Sequence, residues 1–282
     1  MPGHICGGLA VFADKLRERF GRVRHFRVGA TAQQIDEVQR ILSGREYYYL
    51  YDDLYRAVHR AGGSQERDSE IVKVRLLIYR DFERIRSAGL LCGVGTRLLD
   101  LGCGEGDNAA YFARLGFQVT GIDISPTAID VAARLANEQG LRIDFRVADV
   151  LELAEFPDSS FDLATDIGCL HMLVREEHRR RYLRSVRRIL RSGGVFFLFN
   201  RVASRNVRLL DEDAAILRSI TLMQTRWRAN DGSCLNVRGC GFRNASMPQY
   251  RQELEASGFE IVRSHRGWGR HRRFAMLLAR AS

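Results

Sequence analysis

Between residues 97 and 200 short apolar runs alternate with stretches of helical period, and this alternation restricts the chain more than any other feature. The runs 97–101, 118–122, 143–147, 161–164 and 195–199 have the length of strands buried on both faces. The intervening segments 108–115, 126–139 and 175–190 carry apolar residues at helical spacing. Ser125 is placed to cap the middle helix, with Pro126 at its first position, where no N–H is needed. Strand–helix repeats of this kind close right-handed into a mostly parallel sheet with helices on both faces, an α/β doubly wound fold. A helix over 248–257 and strands over 259–264 and 274–279 bring the expected sheet to seven strands.

Upstream, residues 32–91 have helical character. Apolar residues recur at Ile35, Val38 and Leu42, at Leu50, Leu54 and Val58, and at Val72, Leu76, Tyr79 and Phe82. Gly62, Gly63 and Ser64 separate the last two helices. Residues 1–91 are therefore expected to form an N-terminal helical extension or cap, and 92–282 the α/β domain. Residues 203–246 are too long for a simple connection and are expected to form a lid insert before the last helix and strands. Tyr47, Tyr48, Tyr49 and Tyr51 put four aromatics in five positions, so they must point several ways around a helix.

Hydrophobic residues make up 45% and charged residues 28%, a balance that excludes the disordered and fibrous classes. No apolar run is long enough to span a membrane. The N-terminus lacks a basic region followed by an apolar stretch, so a cytoplasmic protein is expected. A net charge of +10 raises nucleic acid as a partner. Nearly all of that charge is arginine spread along the chain, since Lys15 and Lys73 are the only lysines. The densest run, Arg179, Arg180, Arg181, Arg184, Arg187, Arg188 and Arg191, falls on a helix and is expected to form a solvated face. Cys6, Cys92, Cys103, Cys169, Cys234 and Cys240 match no metal-site or disulfide spacing, so no metal is expected.

The segment Leu98-Leu99-Asp100-Leu101-Gly102-Cys103-Gly104-Glu105-Gly106 carries the most chemistry. An apolar strand enters a bend with glycines at alternate positions, and a helix follows. Glycine lets the chain turn sharply with no side chain between backbone and ligand, so that N–H groups and the helix N-terminus face a bound molecule. The second strand ends in Gly121-Ile122-Asp123-Ile124-Ser125, where Asp123 can accept hydrogen bonds from both hydroxyls of a ribose and Ile124 can lie on a base. The third ends in Val147-Ala148-Asp149-Val150, where Asp149 can accept from an exocyclic amine. An aspartate at a strand end also serves as a helix cap, so each assignment has a structural alternative.

These segments, with FDLATDIGCLHML at 161–173 and LRSGGVFFLF at 190–199, resemble the class I S-adenosylmethionine (SAM)-dependent methyltransferases, with a Rossmann-like domain, over residues 97–200 and more loosely to 279. The resemblance implies SAM as cofactor and S-adenosyl-L-homocysteine as product. It assigns Asp100, Gly102, Cys103, Gly104 and Gly106 to the methionine and ribose side, Asp123 to the ribose hydroxyls and Ile124 to the base. Asp149 and the Val150 amide flank the adenine, and Asp166 and Ile167 lie near the sulfonium. A dinucleotide site would want glycine at the sixth position of the bend, where this chain has Asp107, a carboxylate that would oppose a pyrophosphate.

Methyl transfer from a sulfonium needs an aligned nucleophile and a dry site, with a base where the acceptor must lose a proton. His171, just past the fourth strand, has an ordinary pKa suited to that task, and Asp166 lies beside it in sequence. The alternative for His171 is packing at a helix start. Tyr47, Tyr48, Tyr51 and Trp227 are candidates to line the acceptor pocket, although the tyrosines suit packing of a helix onto the core better than a substrate cage. The expected acceptor is a small molecule, methylated on O, N or S. No Asn/Asp-Pro-Pro-aromatic motif of the amino-methylating DNA enzymes follows the fourth strand. A nucleic-acid or ribosome-directed methyltransferase and a non-catalytic SAM-binding module remain the alternatives. Oligomeric state is not legible.

Overall fold

The computed structural model describes residues 46–62, 69–91, 94–203, 224–228, 234–238, 243, 245–267 and 273–282, with the backbone alone for 69–73, 224–228 and 234–238. The expected helix around Ile35, Val38 and Leu42 lies outside the described residues.

Nine strands are described: β1 (Arg97–Leu101), β2 (Gln118–Asp123), β3 (Asp144–Val147), β4 (Phe161–Ile167), β5 (Leu190–Arg201), β6 (Gln224–Arg228), β7 (Cys234–Arg238), β8 (Phe259–Arg266) and β9 (Phe274–Ala281). The helices are α1 (Leu50–Arg60), α2 (Ser69–Ser87), α3 (Asp107–Arg114), α4 (Pro126–Glu138), α5 (Glu176–Ile189) and α6 (Met247–Ala256). Seven strands form one sheet in the order β3-β2-β1-β4-β5-β9-β8, and β6 and β7 form a separate antiparallel pair. β3 through β5 run parallel, and β9 enters antiparallel between β5 and β8. The strand order reverses between β1 and β4, which opens a crevice at the carboxyl ends of those strands.

The central strands divide their side chains between two cores, as the two-residue period of a strand requires. Leu99, Leu101, Phe196 and Leu198 join Tyr182, Leu183 and Val186 of α5 and Tyr250 and Leu254 of α6. Leu98, Phe197 and Phe199 join Ile78, Phe82 and Ile85 of α2 and Ala109 and Phe112 of α3. Helix α2 is thus part of the same packed layer as the α/β elements. Its buried stripe is Ile78, Phe82 and Ile85, and Leu76 is 64% exposed, contrary to its expected place on the apolar face. Two residues advance an α-helix by about 200°, so Leu76 and Ile78 point to opposite sides.

The capping logic is met at both proline-led helices. The Ser125 hydroxyl accepts from the Ala128 amide at 3.1 Å, and Ser246 and Gln249 form a reciprocal capping box at α6. One arginine departs from the expected solvated face of α5. Arg179 is buried, donates to the Leu173 and Val174 carbonyls, and pairs with Glu253 at 3.0 Å. It lies one turn from Tyr182 and Leu183, on the side of the helix that faces the core. No helix among the described residues is long and apolar enough to cross a membrane.

Candidate active site

A cavity of about 610 Å³ opens at the carboxyl edge of the sheet, within the size range of small-molecule sites. Its floor at β1 is the glycine bend. Gly102 has φ +68°, and a Cβ there would lie 2.9 Å from Cys169 Cβ. Gly106 has φ +85°, and a Cβ there would lie 2.8 Å from the Phe145 ring and 2.9 Å from Ala132. Both backbone conformation and space therefore demand glycine. Gly102, Cys103 and Gly104 lie on the cavity wall, while Gly106 sits behind it and seats α3 against α4 and β3.

Asp123, at the end of β2, ties this bend to the next loop. Its Oδ2 accepts from the Gly104 amide at 2.9 Å and its Oδ1 from the Ser125 amide at 2.9 Å. Burial pushes its pKa up, and those amide hydrogen bonds oppose the rise. Ile124 stands beside it on the wall. Asp149 Oδ1 accepts from the Leu151 amide at 2.9 Å, and its Oδ2 accepts from the Tyr48 hydroxyl at 3.2 Å. Val150 completes that side.

Asp100 lies beneath this wall and does not line it. Its Oδ1 accepts from Thr165 Oγ1 at 2.7 Å, and its Oδ2 is buried without a partner among the described residues. Desolvation is the main cause that raises its pKa to about 7, with Asp166 and Asp123 adding to it.

Past β4 the wall passes through Ile167, Gly168 and Cys169 to His171. Asp166 is fully buried behind them. Its carboxylate accepts from the Cys169 and Leu170 amides at 2.8 and 2.9 Å, from Tyr182 Oη at 2.7 Å and from Asn200 Nδ2 at 2.8 Å. With its amide group fixed by Asp166, Asn200 presents Oδ1 to His171, accepting from the His171 amide at 3.0 Å and lying 2.6 Å from Nδ1. Nδ1 must therefore carry the hydrogen, which leaves the ring's lone pair on Nε2. Burial brings the His171 pKa down from 6.5 to about 4, and Arg201 and Arg243 act in the same direction against the Asn200 hydrogen bond. Asp166 thus acts on the site through Asn200 and the 169–170 turn, without touching the cavity.

The tyrosine run closes the opposite side. Tyr47 is buried, donates to the Met172 carbonyl at 3.1 Å and accepts from the Val174 amide at 2.6 Å, so it fixes the segment after His171 and stands behind the wall of this cavity. Tyr48 and Tyr51 reach the cavity, Tyr51 with its hydroxyl 3.1 Å from Met172 Sδ. Trp227 lies in β6, its side chain outside the described residues, and the adjoining strand β7 runs beside α1.

Several wall residues escape a sequence reading. Tyr55, Glu105, Arg75, Arg201, Arg273, Phe199 and Phe274 all line the cavity. Glu105 is buried with its Oε1 3.0 Å from His59 Nε2 on α1, and Arg75 pairs with Asp107 at 2.5 Å. Asp52 of α1 accepts from Ser125 Oγ at 2.7 Å and from the Thr127 amide at 3.2 Å, which fastens α1 to the start of α4. Glu105 had a local signal, an acid inside a glycine bend. The others come from distant segments with no pattern of their own.

Comparison with known proteins agrees with this geometry. Residues 98–194 match the family described as a methyltransferase domain. A ubiquinone biosynthesis O-methyltransferase from Xanthomonas euvesicatoria pv. vesicatoria (strain 85-10) is 39% identical over 104 residues, 37% of this chain and 42% of that one. The chain thus spans about two fifths of the length of the curated relatives it matches. Among solved structures, the [4+2]-cyclase SpnF is similar with a TM-score of 0.62 and 23% identity over 83% of this chain and 95% of that one. The 1,6-didemethyltoxoflavin-N1-methyltransferase of Burkholderia thailandensis, solved with 1,6-didemethyltoxoflavin and S-adenosylhomocysteine, has a TM-score of 0.56 and 24% identity over 82% and 87%. The glycine bend, the acids that close it and the order of the seven strands agree with these matches: residues 98–194 match a methyltransferase domain, set in a Rossmann-like seven-stranded sheet.

Proposed function

We propose that this chain moves a methyl group from SAM to an O, N or S atom of a small-molecule acceptor. The observation that carries this is the acidity of one cavity half. Its four wall carboxylates, Glu105, Asp107, Asp123 and Asp149, all lie on the β1 to β3 side among the described residues. Such a half suits a cofactor bearing an ammonium and a sulfonium and no phosphate, and it opposes a dinucleotide. Gly102, Cys103 and Gly104 would hold the methionyl end, Asp123 the ribose, and Ile124, Val150 and Asp149 the adenine. SAM supplies an electrophilic methyl carbon whose bond to sulfur breaks with the electron pair left on a neutral thioether. The acceptor's nucleophile forms the new bond, and its proton passes to His171 Nε2 or to solvent. His171 is neutral near pH 7 and held in the tautomer that accepts. Asp166 is a positioning residue for that ring through Asn200. Strands β6 and β7 beside α1 are suited to cover the cavity as a lid.

A small acceptor is favoured over nucleic acid because many arginines are already paired. Arg146 bonds Asp144 at 2.7 Å, Arg181 bonds Glu152 at 2.9 Å, Arg188 bonds Asp158 at 2.6 Å and Arg191 bonds Asp162 at 2.8 Å. The O-methyltransferase name of the curated relatives supports transfer to a metabolite. Because a cyclase shares this fold, turnover is the deciding test. The full chain incubated with labelled SAM and a metabolite extract should release S-adenosylhomocysteine and yield a labelled small product. SAM binding with no methyl release from any extract would leave a binding module instead.

A further inference from the structure

The two halves of the cavity differ in charge. All four wall carboxylates lie toward β1 to β3, whereas the wall formed by β4, β5 and β9 carries Arg201, Arg273, His171 and Asn200 and no carboxylate among the described residues. Arg201 closes β5 and Arg273 immediately precedes β9. Arg201 is the register partner of Phe274, and the Val202 amide donates to the Arg273 carbonyl at 2.7 Å, so the two arginines are neighbours across that strand pair. The cavity residues that share this wall with Arg201 and His171 include the aromatic pair Phe199 and Phe274 and the apolar Ile167, Met172 and Leu173. The Phe199 and Phe274 rings stack with centroids 5.6 Å apart.

We infer that the acceptor is a small, flat molecule bearing an oxyanion, a carboxylate or a phosphate, and that Arg201 and Arg273 bind that group at the end of the cavity away from Asp123. This rests on the methyltransferase assignment, which places the cofactor in the acidic half. Guanidinium forks match the geometry of carboxylate and phosphate oxygens, and two of them side by side repel an amine cation. Burial and then Arg273 hold the Arg201 pKa below its usual value, the situation that a bound anion relieves. The same anion would screen Arg201 from His171, which Arg201 now disfavours as a proton acceptor. Anion binding and proton acceptance by His171 would then support each other.

The test is calorimetric titration of the full chain saturated with S-adenosylhomocysteine, using matched probes. These are benzoate, 3-hydroxybenzoate, 3,4-dihydroxybenzoate and phenyl phosphate, each acid beside its amide and the corresponding benzylamine. At least one anion should bind tenfold or more tightly than its neutral and cationic counterparts, and the carboxylate and phosphate arms identify the group. Arg201→Gln should abolish most of that preference and Arg273→Gln part of it. Arg201→Lys should retain some, and all three should keep their affinity for S-adenosylhomocysteine. The inference is overturned if amides or amines bind as tightly as the anions, if no anion binds, or if the preference survives in both glutamine variants. Failure of the wild-type chain to bind S-adenosylhomocysteine at all would instead refute the methyltransferase assignment and take this inference with it.

Discussion

The acidic and basic ends of the cavity are built from different material. At the β1 to β3 end the wall is organised by a backbone bend at Gly102 and Gly104, tied by Asp123, which accepts amide hydrogens from two successive loops. Consecutive residues do that work, so the geometry is fixed locally. At the β4 to β9 end the wall is side chain, drawn from Tyr51, Met172, Arg201 and Phe274, which lie far apart in the chain. A backbone cradle takes one ligand shape and constrains glycine positions. A side-chain wall can be recut by single substitutions without disturbing the sheet, which lets one fold present different acceptor sites.

If the two ends are separable, substitutions should sort by the quantity they change. The largest effect is expected at His171. His171→Ala should lower kcat by about 10² to 10⁴, the usual contribution of a positioned general base. Affinity for S-adenosylhomocysteine, measured by calorimetry, should stay within about twofold. Near-normal turnover would remove the base role and leave His171 as packing beside Asn200.

That asymmetry also explains what could be seen in the sequence. Among the described residues, the strands and helices of the seven-stranded sheet and the Ser125 cap follow from period and local chemistry, whereas the β6–β7 pair within the 203–246 insert had no such signal. The acidic end of the cavity was legible for the same reason, since Gly102, Gly104, Asp123 and Asp149 sit at strand ends where backbone geometry dictates residue type. Arg201 and Arg273 carry no such mark. They become neighbours only when β5 and β9 pair across more than seventy residues of chain. Arg179 misled for a related reason. A run of arginines suggests a solvated face, but Glu253 and two carbonyls meet the one that points inward.

Protonation offers a second way to separate the ends, because Asp100 and His171 have stability slopes of opposite sign. His171 is held at about 4 in the folded chain against 6.5 when unfolded, so the unfolded state binds more protons in that window and folding is favoured as pH rises through it. Asp100 is held at about 7 against 3.8, so the folded state keeps the proton and stability is lost as pH rises from 3.8 to 7. Each is worth on the order of 3 to 4 kcal/mol across its window. In urea unfolding, the wild-type chain should therefore gain stability relative to His171→Asn between about pH 4 and 6.5. Relative to Asp100→Asn it should lose stability between about pH 3.8 and 7. Parallel curves for wild type and either variant would show that burial does not shift that group.

Asp123→Ala addresses the acidic end alone. It removes the acceptor for the Gly104 and Ser125 amides and the expected partner of the ribose, so cofactor affinity should fall by about 1 to 3 kcal/mol. The acceptor KM, measured at saturating SAM, should change little. Unchanged cofactor affinity would contradict the assignment of Asp123, and a matching rise in the acceptor KM would show that the two ends are coupled through the bend.

The smallest effect is expected from Tyr48→Phe, and it tests to which end the tyrosine run belongs. Tyr48 lines the cavity and donates one hydrogen bond of 3.2 Å to Asp149 Oδ2, while Asp149 Oδ1 stays held by the Leu151 amide. Helix α1 remains fastened by the buried Asp52 to Ser125 bond, so loss of one hydroxyl should not release it. Cofactor affinity should therefore drop by about 0.5 to 1.5 kcal/mol, the net worth of one hydrogen bond, with the acceptor KM unchanged. A shift in the acceptor KM at constant cofactor affinity would move Tyr48 to the other side of the cavity and place the division between the ends within the tyrosine run itself.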